Sequence, residues 1–176
     1  LNLALILFSS IYWYLLNFVN FSNKYFFNFS NKNNFIKIFV LIIFLQITLG
    51  AFVSGLDAGE IYQTWPLMNN NYLPDDTDFK TITLSNIFYN HSLIQFLHRN
   101  TAYIIFVYSA LISINVFYNK KKYLYTPLFF LLFMVFMQIS LGIMTLISGL
   151  NIMYASMHQI STIFLLVSSI NFYHKS

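Results

Sequence analysis

Of the four histidines in this chain, His98 and His158 stand inside long uncharged stretches, at matching places in a sequence that repeats itself. An imidazole at membrane depth is costly to desolvate and needs a partner, so such a residue is a candidate for function. His98 lies in Phe96-Leu97-His98-Arg99-Asn100-Thr101, and His158 in Ser156-Met157-His158-Gln159-Ile160-Ser161. Each follows a stretch with its own shared signature. The first is Leu45-Gln46-Ile47-Thr48-Leu49-Gly50 and the second Met137-Gln138-Ile139-Ser140-Leu141-Gly142. Two copies of one helical hairpin, each offering one imidazole, make a paired-ligand site. A membrane bundle can hold a flat metal macrocycle such as heme in this way.

The elements that must position these residues are membrane helices. The chain is 58% hydrophobic and 8% charged, whereas charged residues in soluble domains run near a quarter. A span needs roughly 20 mostly apolar residues. Five segments qualify: 1–19, 35–55, 92–118, 124–148 and 152–173. No Lys, Arg, Asp or Glu occurs from Tyr123 to His174, a stretch too long for one crossing. Ser148-Gly149-Leu150-Asn151 supplies the turn residues that divide it. The fold class expected is all-α and integral to the membrane: a four-helix bundle of two repeated hairpins over 35–176, preceded by one extra span over 1–19 and a loop over 20–34.

Charge then orients the bundle. Lys24, Lys32 and Lys37 lie between spans one and two, Lys120, Lys121 and Lys122 between spans three and four, and Lys175 after span five. All five acidic residues, Asp57, Glu60, Asp75, Asp76 and Asp78, fall in the long loop 56–91 beside a single lysine. Positive residues stay inside, so the acidic loop is expected outside. The net charge of +4 is therefore a topology signal and not a nucleic-acid patch. Spans three and five both run inward, and their histidines lie at one depth, roughly 9 Å below the outer boundary. Ile94, Gln95, Thr101 and Ala102 flank His98, while Tyr154, Ala155, Ser161 and Thr162 flank His158.

Blander readings stand beside these. Each histidine alone could be a structural residue bonded to backbone or hydroxyl groups. Gly50 and Gly142 could be ordinary packing at helix crossings or could leave room for a macrocycle. Arg99 could meet a carboxylate of the bound group near the outer surface or could merely snorkel at a helix end. His91 and His174, at span edges, read as solvated. Tyr62, Trp65 and Tyr72 read as an interfacial aromatic belt. The chain contains no cysteine, which removes disulfides, thiolate metal sites and covalently attached heme. No phosphate loop, no nucleophile–base pair and no carboxylate within the spans points to other chemistry.

The loop and both histidine stretches together resemble the heme A synthase family. The carriers are Gly50-Ala51-Phe52-Val53-Ser54-Gly55-Leu56-Asp57-Ala58-Gly59, then Tyr62-Gln63-Thr64-Trp65-Pro66-Leu67-Met68. Ile94-Gln95-Phe96-Leu97-His98-Arg99 and Leu141-Gly142-Ile143 with Met157-His158-Gln159 complete the set. The resemblance covers about residues 38–173. It implies one of two duplicated four-helix halves, the second, holding a b-type heme through His98 and His158, with Arg99 as a further cofactor contact. It also implies an oxidoreductase that converts the heme O methyl group to the formyl of heme A for cytochrome oxidase. The substrate half would precede this chain, and Leu1-Asn2-Leu3-Ala4-Leu5 resembles the start of its last helix. Glu60 does not match that half's catalytic glutamate, so no catalytic residue is assigned. Expected partners are heme O, membrane lipid, a heme O synthase or electron donor, and a second copy of the chain. The expected location is a bacterial plasma membrane or a mitochondrial inner membrane. The alternatives are a non-enzymatic bis-histidine cytochrome and a structural protein whose histidines only bond within the bundle.

Overall fold

The computed structural model describes residues 1–27, 34–77, 82–83 and 87–176. Lys32, Asp78 and Lys80, used above in the charge pattern, lie outside the described residues, as do parts of the loops 20–34 and 56–91. Five long helices carry the chain: α1 (Asn2–Val19), α2 (Asn34–Gly55), α3 (His91–Tyr118), α4 (Tyr125–Ile147) and α5 (Ile152–Lys175). All five are long and apolar enough to cross a membrane, and among the described residues only an isolated bridge, Met68 to Asn71, is strand-like. The expected class holds: an all-α integral membrane protein.

α2 packs on α3 and α4 on α5, so each hairpin forms its own antiparallel pair. Contacts of α2 with α5 and of α3 with α4 close the bundle, and α1 leans on α5 from outside. α3 and α5 therefore run parallel. Both open on an asparagine cap: the Asn90 side chain accepts from the Leu93 N–H at 2.9 Å and the Asn151 side chain from the Met153 N–H at 2.9 Å. Such caps satisfy amide donors that the first turn of a helix leaves free.

The apolar core is one-sided. It draws Phe39, Val40 and Ile43 from α2, Ile105 and Ile112 from α3, Leu128 and Leu131 from α4, and Leu166, Ile170 and Phe172 from α5. Every one of these lies on the side of the histidines away from the loop 56–91. Ile43 stands about 10 Å of helix rise short of Gly50. The packed half thus holds the helices together and leaves the loop-bearing half to the histidines.

The far end of the bundle corrects one expectation. His174 is not solvated but only 3% exposed, and α5 runs on through Lys175, two residues past the apolar stretch. The Asn17 side chain explains this. Its Oδ1 accepts from the Lys24 backbone N–H at 3.2 Å, from Ser22 Oγ at 2.9 Å and from His174 Nε2 at 3.0 Å. A backbone N–H can only donate, so the asparagine atom facing it is oxygen and His174 carries its proton on Nε2. Lys24 in turn donates its ammonium to the His174 carbonyl, satisfying a free carbonyl of the last helical turn. Trp13 packs edge-on against the imidazole with ring centroids 5.0 Å apart. A histidine read as solvated thus takes part in a polar lock between α1 and α5.

His174→Ala should lower stability by about 1–3 kcal/mol, because Asn17 and Ser22 lose a shared partner. The midpoint of thermal unfolding in detergent measures it. Leu3→Ala, on the 82% exposed face of α1, should leave that midpoint almost unchanged.

Candidate heme site

Each histidine ring rests against a glycine of its own hairpin partner. A Cβ built on Gly50 would lie 3.1 Å from His98 Cε1, and one built on Gly142 would lie 3.2 Å from His158 Cε1. Any side chain at either position would press on the edge of the imidazole. Gly55, on the same helix as Gly50, has nothing within 4 Å of its would-be Cβ. The glycines of the two Gln-x-x-x-Gly stretches therefore do more than let helices cross: each is a seat for one imidazole.

The two rings are related by the repeat and lie at one level. His98 follows its cap Asn90 by eight residues (98 − 90) and His158 follows Asn151 by seven (151 to 158). This is a difference of about 1.5 Å in rise. They are near enough for a charge on His158 to be felt at His98. Nδ1 of each ring is buried without a hydrogen-bond partner, although buried polar atoms are nearly always paired. The Gln46 carbonyl lies beside the His98 ring and the Gln138 carbonyl beside the His158 ring, without completing a well-formed bond.

The glutamines part company in their side chains. Gln46 Nε2 stands 3.4 Å from His98 Nε2. Gln138 Nε2 instead donates to the His158 carbonyl at 3.1 Å, Ser161 Oγ at 2.7 Å and Thr162 Oγ1 at 3.1 Å. Ser161 and Thr162 also donate to the His158 carbonyl, at 3.1 and 2.8 Å. Three side chains thus grip the backbone of one histidine, and one side chain reaches the ring of the other.

Among the described residues no group of three or more His, Cys, Asp or Glu gathers that could hold a bare metal ion. Two imidazoles alone are too few for such an ion. They suffice for an iron whose four remaining ligands come from a macrocycle. Unpartnered ring nitrogens, a glycine seat under each ring and a core that stops short of both all fit that group.

The Arg99 guanidinium is turned to the loop. Its Nη2 donates to the Tyr62 carbonyl at 2.7 Å, and its Nη1 to the carbonyls of Thr64 at 2.9 Å and Leu67 at 3.3 Å. Only Nε is buried without a partner. Gln95 Nε2 donates to the same Tyr62 carbonyl at 2.9 Å, and Ser92 Oγ to Asp76 Oδ2 at 2.6 Å. Ser92, Gln95 and Arg99 recur at helical spacing along one face of α3, a polar stripe visible in the sequence but not singled out there. Tyr62 is no belt residue. It is 3% exposed, donates its hydroxyl to Asp76 Oδ1 at 2.9 Å and accepts the Asp75 N–H at 2.9 Å. Trp65 and Tyr72 stay about half exposed, at 45% and 53%, and His91 stays exposed as expected.

Partial burial alone would raise the Asp76 carboxyl. The hydrogen bonds from Ser92, Tyr62 and Thr77 outweigh it and hold the group below its ordinary range. Burial and the bond to Asp76 push the Tyr62 phenol up. A carboxyl lowered by folding contributes stability above its unfolded value near 3.9 and loses it as pH falls through the native value. The loop should therefore keep constant hydrogen-exchange protection from about pH 7 to 5 and loosen only below about pH 4. Asp76→Asn should flatten that dependence.

Comparison with known proteins places the chain. Residues 1–170 match the cytochrome oxidase assembly protein family (COX15-CtaA). A heme A synthase of Pelagibacter ubique is 42% identical over 170 residues, covering 96% of this chain and 48% of that protein. A heme A synthase of Wolbachia pipientis wMel is 37% identical over 81% of this chain and 39% of its own length. One of Rickettsia prowazekii is 36% identical over 72% and 38%. This chain spans about half or less of the length of these curated relatives. On the match along nearly its whole length, the chain belongs to the heme A synthase family of cytochrome oxidase assembly proteins.

Proposed function

We propose that this chain is the b-heme-holding part of a heme A synthase, an oxidoreductase that turns the heme O methyl group into the formyl of heme A. The observation that carries the reading is the matched pair of imidazoles, each seated on a glycine and each with an unpartnered ring nitrogen. A heme held by two imidazoles supplies one-electron transfer at an iron with no open coordination position.

The chain's own groups would do the rest. Gly50 and Gly142 would give each ring its place, and the Gln46 and Gln138 carbonyls lie beside the rings. Gln138, Ser161 and Thr162 hold the His158 backbone so that its ring cannot drift with the helix. Residues 62–72 of the loop lie against the turn of α3 that carries His98. No residue of this chain is assigned to holding or oxidising heme O. The residues here would then hold a one-electron carrier, with the substrate bound elsewhere in the enzyme.

Sidedness follows from the charges. We place the acidic loop on the outer side of a bacterial plasma membrane or of the mitochondrial inner membrane, with Lys120, Lys121 and Lys122 inside.

His98→Ala and His158→Ala should each abolish a six-coordinate, low-spin b-type spectrum while the protein still accumulates in the membrane. Gly50→Val should lower heme content severalfold, since its side chain collides with the ring, and Gly55→Ala should not. A low-spin spectrum surviving in both histidine variants would sink the reading.

With no native cysteine to interfere, Asn70→Cys should react with an impermeant thiol reagent added from outside, and Lys122→Cys should not. The reverse pattern would invert the topology.

A further inference from the structure

We propose that residues 59–72 of the loop form a strap that sets the spacing between the two histidine helices, with Arg99 as the positioning residue that anchors it. The proposal builds on the heme reading above and adds what holds the two ligands at a fixed separation.

The strap is fastened at both ends. On the α3 side, Arg99 and Gln95 together take the carbonyls of Tyr62, Thr64 and Leu67. Tyr72 donates its hydroxyl to Asn100, and its ring meets Phe96 edge-on with centroids 5.7 Å apart. Phe96, Arg99 and Asn100 bracket His98, so the turn of helix that carries this ligand is bound to the loop on both sides.

On the other side the strap meets the turn between α4 and α5. Gly149 and Leu150 both adopt left-handed backbone angles, φ 70° and 61°, which reverse the chain and turn Leu150 toward the strap. There a Cβ on Gly59 would lie 3.0 Å from Leu150 Cδ2, and one on Gly149 would lie 3.7 Å from Gln63 Oε1. The turn leads directly through the Asn151 cap into the helix of His158. One short segment therefore touches the leading ends of both ligand-bearing helices, in the half of the bundle that lacks the apolar core.

Two imidazoles that share one iron must keep their separation and ring angles, and α3 and α5 are not among the helix pairs in extensive direct contact. A planar guanidinium suits the anchor, because it can bond several fixed carbonyls at once, which an ammonium on a flexible stem does less well.

The test uses spin labels on His91→Cys and Met153→Cys in the membrane-embedded protein, both positions being exposed. Pulsed EPR should give one narrow distance distribution in the parent. Arg99→Ala, and independently Leu150→Ala, should lose the narrow component, with Arg99→Lys restoring part of it. In protein loaded with heme, the same variants should retain the heme but shift its midpoint potential and low-spin EPR signature. Unchanged distances in both variants overturn the strap. Widened distances with an unaltered potential and EPR signature overturn its role in positioning the ligands. Widened distances in a protein that never takes up heme leave the strap standing and sink the heme reading instead. If Arg99→Ala fails to accumulate, Leu150→Ala decides alone, since it leaves the α3 anchor intact.

Discussion

An imidazole inside a membrane can send its ring nitrogens only to protein or to a ligand, because no water is at hand to take them. Elsewhere many polar groups within the spans find a partner, although Ser9 Oγ, Gln46 Oε1 and Gln95 Oε1 are buried without one. Serine and threonine hydroxyls within the spans return to carbonyls three or four residues back, as Thr145 and Ser168 do at 2.8 Å. Gln138 divides its amide among three oxygens. His174 is held by Asn17 and Ser22. The open nitrogens of His98 and His158 form a pair matched by the repeat, and the glycine seats, the truncated core and the loop make sense as arrangements around them.

The one-sided core expresses a conflict between stability and function. Side chains filling the loop-bearing half would add packing, which in a bilayer is the main force between helices. They would also occupy the space a macrocycle needs. The chain resolves this by concentrating apolar contact from Phe39 to Ile43 and from Leu165 to Tyr173. Polar fastenings hold the opposite half. Hydrogen bonds suit that task because they fix direction as well as distance.

Much of this was legible in the residues. Hydropathy found all five spans to within one or two residues, since membrane thickness dictates their length. The repeat found both histidines, and the loop motif found the family. What stayed hidden was where polar residues at helix ends would go. His174 was read as solvated and Tyr62 as an interfacial belt residue because of where they stand relative to the spans, and the loop carbonyls that Arg99 meets were not foreseen. Their partners are remote in sequence: His174 meets Asn17, and Arg99 meets Thr64. Local pattern cannot report such closures. Nor could it show what Gly50 meets, a ring 48 residues away (98 − 50) that would stand 3.1 Å from a Cβ placed there.

The position of α5 bears on how the chain is assembled. It is the least apolar of the five spans, yet it touches α1, α2 and α4 and carries His158. It also leaves the ribosome after α1 to α4. A helix with so modest a claim on lipid gains most from neighbours already in place, whose polar groups can receive Ser161, Thr162 and His174 as it arrives. The earlier hairpin and α4 would then act as a template on which α5 settles. Biogenesis and ligand geometry thereby depend on the same stretch of chain.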